Sequence, residues 1–188
     1  MSTVRILALV GSLRSGSHNR QLAEAAVALA PEGVEISILE GLNDIPFYNE
    51  DIDNPTDVPA SAVKFREAAE GSDAFLLFSP EYNGSIPAVL KNAIDWASRP
   101  MGSGVFVNKP VAVVGTAYGQ YGGVWAQDET RKAAGIAGGN VLEDVKLSVP
   151  ESVIRFAERH PSDDAEITEK LAVVVQQVAD AAKEPVAA

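Results

Sequence analysis

The chain has 188 residues, of which 46% are hydrophobic and 22% are charged, and this composition is typical of one globular domain covering residues 1–188. The lack of cysteine excludes a disulfide framework, a thiolate zinc site, a redox dithiol and a cysteine nucleophile. The 15 basic and 26 acidic residues give a net charge of −11. An acidic chain without a basic run is not expected to bind nucleic acid, because the phosphate backbone repels it.

The N-terminal apolar segment, residues 4–10, contains Arg5 and is too short for the apolar core of a signal peptide or for a membrane span. No other stretch of the sequence approaches membrane length. We therefore expect a soluble cytoplasmic protein with no membrane partner.

Apolar runs and segments with helical spacing alternate along the chain. Strands are predicted at residues 6–10, 34–39, 74–78, 110–114 and 141–149. Helices are predicted from the first loop to Pro31 and then at residues 60–70, 87–99, 125–136 and 167–182. The apolar side of the 60–70 helix is expected to hold Val63, Ala68 and Ala69. Residues 41–59 form a polar, proline-rich loop, and the tail 183–188 is expected to fray.

Strict alternation of strands and helices predicts a parallel sheet that is covered by helices on both faces. Five strands match the flavodoxin-like doubly wound fold, a three-layer α/β/α arrangement with strand order 2-1-3-4-5. In such sheets the ligand binds at the carboxyl ends of the strands, where the strand order reverses. The loops that follow strands 1, 3 and 4 are therefore the candidate site.

Residues 11–19, the first of these loops, have the composition of a phosphate site. Gly11 and Gly16 allow backbone N–H groups to approach a ligand closely, and the following helix N-terminus favours an anion. Arg14 offers a charged fork of donors. Neutral donors come from Ser12, Ser15, Ser17 and Asn19.

Motifs of other site types are missing from the sequence. Ser17-His18 stands where a Walker A loop requires lysine and a hydroxyl residue, and neither GxGxxG nor GxSxG occurs at the expected positions. The two histidines, His18 and His160, have no partners at metal-ligand spacing, so no metal site is expected. His160, beside Pro161 in a polar loop, is expected to be solvent-exposed.

The second loop, residues 80–85, and the third, residues 116–123, suit a flat ring. Tyr82 can stack on a ring, and the N–H groups of Asn83 and Gly84 can donate to ring carbonyls. The third loop adds small residues with Tyr118 and Tyr121 nearby. Together the three loops predict a phosphorylated aromatic cofactor.

Three motifs occur in order: G-S-L-R-x-G-S-x-N-R at residues 11–20, P-E-Y-N-G-S-I-P at 80–87 and L-K-N-A-I-D-W at 90–96. The segment Pro46-Phe47-Tyr48-Asn49 follows the second strand. Over nearly its whole length the chain resembles the NADPH-dependent FMN reductase family, a group of flavodoxin-like quinone, chromate and azo-dye reductases.

The resemblance implies that hydride passes from NADPH or NADH through FMN to a quinone or similar acceptor in a two-electron ping-pong cycle. It implies that the FMN phosphate is bound by Ser12, Arg14, Ser17 and Asn19. It implies that the isoalloxazine is lined by Pro80, Glu81, Tyr82 and Asn83, with Gly84 and Ser85 beside them. It implies that the far edge of the ring meets Thr116, Ala117 and Gly119. The flavin N5 carries the chemistry, so no catalytic side chain is expected.

One position departs from the family pattern, because Gln120 stands where many relatives have an arginine before the Gly-Gly pair. The preference between NADPH and NADH therefore stays open. Family members commonly form homodimers or homotetramers, and the loop 41–59 and the helix 87–99 are the candidate contacts. Asp95 and Trp96 are assigned to packing or to that interface rather than to chemistry.

Two other functions remain as alternatives on the same fold. A flavodoxin-type electron carrier would bind FMN without a nicotinamide site, but its phosphate loop is usually rich in threonine and lacks an arginine. A response-regulator-like module would need an acidic pocket with an aspartate after the third strand, where Ser79-Pro80 stands instead. The sequence leaves open the physiological acceptor and whether FMN is a prosthetic group or an exchangeable substrate.

Overall fold

Five parallel strands form one sheet at the centre of the computed structural model, which describes residues 3–184. The strands are β1 (Val4–Val10), β2 (Val34–Ile38), β3 (Ala74–Phe78), β4 (Pro110–Thr116) and β5 (Asn140–Val149). The sheet order is β2-β1-β3-β4-β5, with every neighbouring pair parallel. This confirms the flavodoxin-like doubly wound sheet predicted from the sequence.

The helices begin and end close to the predicted positions. They are α1 (His18–Ala28), α2 (Ala60–Glu70), α3 (Ala88–Ala97), α4 (Val124–Ile136), α5 (Ser152–Arg155) and α6 (Ala165–Lys183). The four-residue α5 and three short 3-10 turns were not predicted, since none is long enough to show a hydrophobic period. Lys183 ends α6 rather than belonging to a frayed tail, and residues 185–188 lie outside the described chain.

Two hydrophobic cores cover the two faces of the sheet. Helices α1 and α6 pack on one face, and α2, α3 and α4 pack on the other. All five residues of β3 are buried, as a central strand requires, whereas the edge strand β2 is partly exposed. The predicted apolar side of α2 is confirmed for Ala69, which is buried, and for Ala68, which packs against the core. It was wrong for Val63, which is half-buried and outside the core, and the large side chain that packs there is Phe65.

The loop 41–59 is fastened to α3 by side chains that hydrogen-bond to its backbone. The buried Asn92 accepts from the Tyr48 N–H at 2.8 Å and donates to the carbonyl of Pro46 at 3.0 Å. Trp96 is fully buried and donates its indole N–H to the same Pro46 carbonyl at 2.8 Å. Trp96 therefore serves packing rather than an exposed interface, while Phe47 at the tip of the loop is 78% exposed.

The start of α6 depends on one buried carboxylate. Asp164 caps the helix by accepting from the Ile167 N–H, and Arg155 of α5 donates to both of its oxygens at 2.8 and 2.9 Å. The Arg155 hydrogen bond is the main reason that the pKa of Asp164 falls from its usual 3.8 to about 2. A lowered carboxyl pKa means that the folded state favours the ionised form.

We predict that Asp164→Asn, which keeps a capping oxygen, lowers the free energy of unfolding at pH 6 by about 2 kcal/mol. Because the folded pKa is depressed, this contribution is complete above the usual pKa and is lost as the pH falls through about 2. Urea unfolding at pH 6, 4 and 2 should show the difference between the two proteins narrowing as the pH falls. A difference that stays constant over this range would contradict the ion-pair assignment.

Candidate active site

The first two loops can approach each other at the carboxyl ends of β1 and β3 because Gly11, at the start of the first loop, has no side chain. A Cβ atom on Gly11 would lie 2.7 Å from Cγ of Pro87 and 3.0 Å from Cδ of Pro80. The Gly11 N–H also donates to the Phe78 carbonyl at 2.9 Å. Glycine is therefore required here for the close approach of the two loops.

A buried amide joins the first loop to the third. Asn19, at the start of α1, donates its side-chain N–H to the Thr116 carbonyl at 2.9 Å and accepts from the Thr116 N–H at 3.0 Å. The Thr116 hydroxyl donates to the carbonyl of Val149 at 2.7 Å. Asn19 and Thr116 were both predicted as cofactor contacts, yet these hydrogen bonds commit most of their polar atoms to the protein itself.

The other donors of the first loop are not committed to a second element, and all but Ser17 are at least partly exposed. Ser17 is buried and caps α1 by accepting from the Arg20 N–H at 3.3 Å, so its hydroxyl hydrogen is free to point elsewhere. Ser12 is half-buried and Ser15 is exposed. Arg14 is also exposed, and its one hydrogen bond, to the Ser15 carbonyl, is long at 3.4 Å.

Arg14 is the one Lys or Arg residue in the sequence of this loop, and it pairs with no carboxylate among residues 3–184. Arg20, one turn into α1, pairs with Glu24 at 2.9 Å and with Glu40 at 2.6 Å. Burial, together with the nearby charge of Arg14, holds the pKa of His18 below its usual value, so this imidazole is neutral at pH 7. A cleft of about 200 Å³ lies beside the loop, lined in part by Ser12 and Arg14.

The second loop is a tight hairpin turn. Tyr82 and Ser85 exchange backbone hydrogen bonds of 3.3 and 3.1 Å, and the two residues between them have positive φ angles, 55° for Asn83 and 72° for Gly84. These features define a type I′ turn, for which Asn-Gly is the favoured sequence. The N–H groups of Asn83 and Gly84 make no hydrogen bond within residues 3–184. They are therefore available to a ligand, beside a Tyr82 ring that is 53% exposed.

Two acidic side chains tie this turn to α4. Glu81, which is predicted to line the ring, accepts from the Ala126 N–H at 3.1 Å, in the first turn of α4. The N-cap residue of α4 is Gly123, which has no side chain, so Glu81 supplies the missing cap. The Ser85 hydroxyl donates to Glu129 at 2.6 Å. Glu129 lies in no motif of the sequence prediction, and no local signal identified it.

The third loop curls back over the end of β5. Its backbone is held by α5, since Ala117 accepts from Ser152 at 3.0 Å. No atom of the described chain, residues 3–184, lies within 4 Å of the Cβ position of Gly119, so this residue is open to a ligand. The rings of Tyr121 and Trp125 lie 5.4 Å apart and are each more than half exposed. This aromatic pair borders the second loop, because Trp125 lies 3.9 Å from the Cβ position of Gly84.

The structure thus brings all three predicted loops together and divides their side chains into two groups. The accessible group comprises Ser12, Arg14, Ser15, Tyr82, Asn83, Gly84 and Gly119, whereas Ser17 is buried. Pro80 is buried against Gly11, and Ala117 is half-buried. Asn19, Glu81, Ser85 and Thr116 are engaged in hydrogen bonds between elements.

Other kinds of site find no support in the described part of the chain. No group of three or more His, Asp or Glu side chains in residues 3–184 is placed to hold a metal ion. His160 is half-buried rather than exposed, with Nδ1 at 2.7 Å from the Ser162 hydroxyl. None of the described helices is both long enough and apolar enough to span a membrane.

Comparison with known proteins decides the family. The family described as NADPH-dependent FMN reductase matches residues 4–153. The chain belongs to this family. Its relatives include a 2-hydroxy-1,4-benzoquinone reductase of a Burkholderia species, 39% identical over 82% of this chain and 80% of the relative. An NAD(P)H-dependent FMN reductase of Pseudomonas aeruginosa is 40% identical over the same shares of each chain.

A solved structure supports the same assignment. The flavoenzyme NAD(P)H:(acceptor) oxidoreductase of Paracoccus denitrificans superposes with a TM-score of 0.85 at 31% identity, covering 96% of this chain and 98% of that one. Members of the NADPH-dependent FMN reductase family are oxidoreductases that work with FMN and a nicotinamide nucleotide, and this chain is one of them. The donors of the first loop and the free N–H groups of the second fit the phosphate and the ring carbonyls of FMN.

We predict that Glu81→Ala acts first on stability, because it removes the cap of α4. The free energy of unfolding should fall by about 1 kcal/mol, and Glu81→Gln, which keeps an acceptor oxygen, should recover most of the loss. Urea unfolding of the protein without FMN measures both effects. Unchanged stability in Glu81→Ala, with only FMN affinity reduced, would show instead that Glu81 lines the ring.

Proposed function

We propose that the chain binds FMN where its three loops meet and transfers two electrons from NAD(P)H to a quinone-like acceptor. This proposal depends on two features that occur together. Among residues 3–184, Arg14 of the first loop has no carboxylate partner, and the N–H groups of Asn83 and Gly84 in the second loop make no hydrogen bond. The first is suited to a phosphate and the second to ring carbonyls, and both lie on loops at the switch point of the sheet. FMN carries both chemical groups in one molecule.

The first loop would hold the phosphate. Ser12, Ser15 and Ser17 offer hydroxyl donors, Arg14 offers the charge, and the N-terminus of α1 adds its dipole. Neutral hydrogen bonds contribute about 0.5–1.5 kcal/mol each and charged ones about 1.5–3 kcal/mol, so a few together give micromolar binding or better. Asn19 would serve this site by fixing the start of α1 against Thr116 rather than by contacting the phosphate directly.

The second and third loops would hold the ring. FMN supplies, when bound, a ring that takes up a hydride from a nicotinamide and passes it to an acceptor. The chain orients that ring through the N–H groups of Asn83 and Gly84 and through the Tyr82 side chain. These donors are oriented before the ligand arrives, because the type I′ turn is closed by its own backbone hydrogen bonds. The accessible group includes no carboxylate and no imidazole, so we expect water to exchange the protons.

We expect a ping-pong order, and the openness of the site supports it. The rings of Tyr82, Tyr118 and Tyr121 are each more than half exposed, and no lid covers them within residues 3–184. A flat nucleotide ring and a flat acceptor ring would therefore use the same opening in turn. Arg14 is the only Lys or Arg in the sequence of the first and third loops, because the third loop carries the uncharged Gln120 before its Gly-Gly pair.

A quinone is the acceptor that the observations favour. Relatives named quinone reductase come from Pseudomonas putida and Escherichia coli, at 36% and 35% identity. The exposed aromatic pair Tyr121–Trp125 beside the opening offers a face on which an uncharged planar ring can stack.

A homodimer or homotetramer in the cytoplasm completes the proposal. A groove of about 430 Å³ runs between α3 and α4, lined by apolar residues such as Ile94 and Ile136 and bordered by charged ones. Ile136 is 80% exposed, which favours a second copy as its cover. The lack of cysteine fits the reducing cytoplasm.

We predict that Arg14→Ala weakens FMN binding by at least tenfold and leaves riboflavin binding within about twofold. The reason is that riboflavin lacks the phosphate that Arg14 would bind. Quenching of flavin fluorescence on titration with the protein measures both dissociation constants. An equal loss for the two flavins would place Arg14 at the ring or in the fold instead.

Steady-state kinetics test the reaction itself. Initial rates with NADPH and a simple benzoquinone, varied against each other, should give parallel double-reciprocal lines if the two substrates use the opening in turn. Intersecting lines would contradict the ping-pong order. If the protein reduces other acceptors but not the benzoquinone, the proposal that the acceptor is a quinone is contradicted.

A further inference from the structure

Glu129 lies on α4, outside all the motifs that predicted the site, and it contacts the exit of the second loop. One of its oxygens, Oε2, accepts the Ser85 hydroxyl at 2.6 Å and the Ile86 N–H at 3.1 Å. The next residue, Pro87, has no N–H, so these are the last donors of the loop before α3 begins. The hydrogen bonds from Ser85 and then Ile86 hold the pKa of Glu129 below its usual value. The side chain is therefore an ionised acceptor at neutral pH.

Helix α4 holds the type I′ turn at three points. Glu81, at the entry, caps α4 through the Ala126 N–H. The Trp125 ring lies against the tip at Gly84. Glu129, one helical turn after Trp125, holds the exit. Together with its own two closing hydrogen bonds and the packing of Pro80 and Pro87 against Gly11, these contacts set the direction of the turn.

We propose that Glu129 is a positioning residue for the flavin site: it orients the Asn83-Gly84 turn so that the two free N–H groups point at the position of the FMN ring. This inference rests on the proposed FMN site. Ser85, which Glu129 holds, is the last residue of the turn and closes it through its own N–H and carbonyl, so we expect a shift of Ser85 to reorient both N–H groups. Glu129 itself is exposed and contributes little to the hydrophobic core.

Three single variants test this role. Glu129→Ala removes the acceptor, Glu129→Gln keeps an oxygen at the same place, and Glu169→Ala is the matched control. Glu169 is an exposed glutamate on α6, on the opposite face of the sheet, with no ion pair within the described residues. We expect Glu129→Ala to weaken FMN binding about tenfold, Glu129→Gln to stay within about threefold of the unchanged protein, and Glu169→Ala to bind normally.

The readouts are FMN fluorescence titration and the visible circular dichroism of the bound flavin, which reports the orientation of the ring. Glu129→Ala should alter the dichroism at saturating FMN, and Glu129→Gln should restore it. Affinity and dichroism in Glu129→Ala that match the unchanged protein would overturn the inference. A Gln variant as impaired as the Ala variant would also overturn it, because the oxygen acceptor would then be irrelevant.

A double-mutant cycle with Ser85→Ala separates positioning from a general loss of structure. If Glu129 acts through the loop exit, the effects of Ser85→Ala and Glu129→Ala on FMN affinity are not additive. Fully additive effects would overturn the inference. Failure of the unchanged protein to bind FMN is a different result, since it would remove the proposed function before any variant is compared.

Discussion

The buried pair of hydrogen bonds between Asn19 and Thr116 is the interaction on which the site depends. It reaches from the start of α1, past the end of β3, to the end of β4, so it joins loops that are 97 residues apart in the chain. A buried amide that is satisfied on both its oxygen and its nitrogen fixes position strongly, because breaking it leaves polar groups without partners. The first and third loops are thereby held at one distance from each other.

The second loop is fixed by different means on its two sides. Toward the first loop it packs through Pro80 and Pro87 against Gly11, where any side chain would collide. Toward the third loop it is held by carboxylates, with Glu81 capping α4 and Glu129 receiving the loop exit. The site is therefore a set of three loops locked to one another before any ligand arrives. Such preorganisation lowers the entropic cost of ordering the loops when a ligand binds.

The fold was predictable from the sequence because its signals are local. The continuous apolar runs of β1, β3 and β4 indicate covered strands, and Gly138-Gly139 correctly ended α4. The helix α5 was missed because four residues show no period. The buried face of α2 was assigned without Phe65, although its large apolar ring dominates the packing. The Asn83-Gly84 pair is a recognised hairpin signal, and the prediction used it only as a pair of donors.

The sequence was enough to predict which three loops form the candidate site, but not what each side chain in them contacts. Ser12 and Arg14 are accessible, as a phosphate contact requires. The roles of Asn19, Glu81 and Ser85 depend on partners 97, 45 and 44 residues away, which no local pattern contains. A polar residue in a motif can therefore either hold the loops together or bind the ligand. The sequence does not distinguish these two roles, whereas the three-dimensional contacts do.

Anaerobic mixing of the FMN-loaded protein with NADPH, and separately with NADH, tests the central claim most directly. The account predicts that the visible absorbance of the flavin bleaches rapidly with at least one nucleotide and returns when a quinone is added. The faster nucleotide would also show the effect of Gln120. A yellow protein that neither nucleotide bleaches would contradict the account and favour an electron carrier that receives electrons from a protein partner.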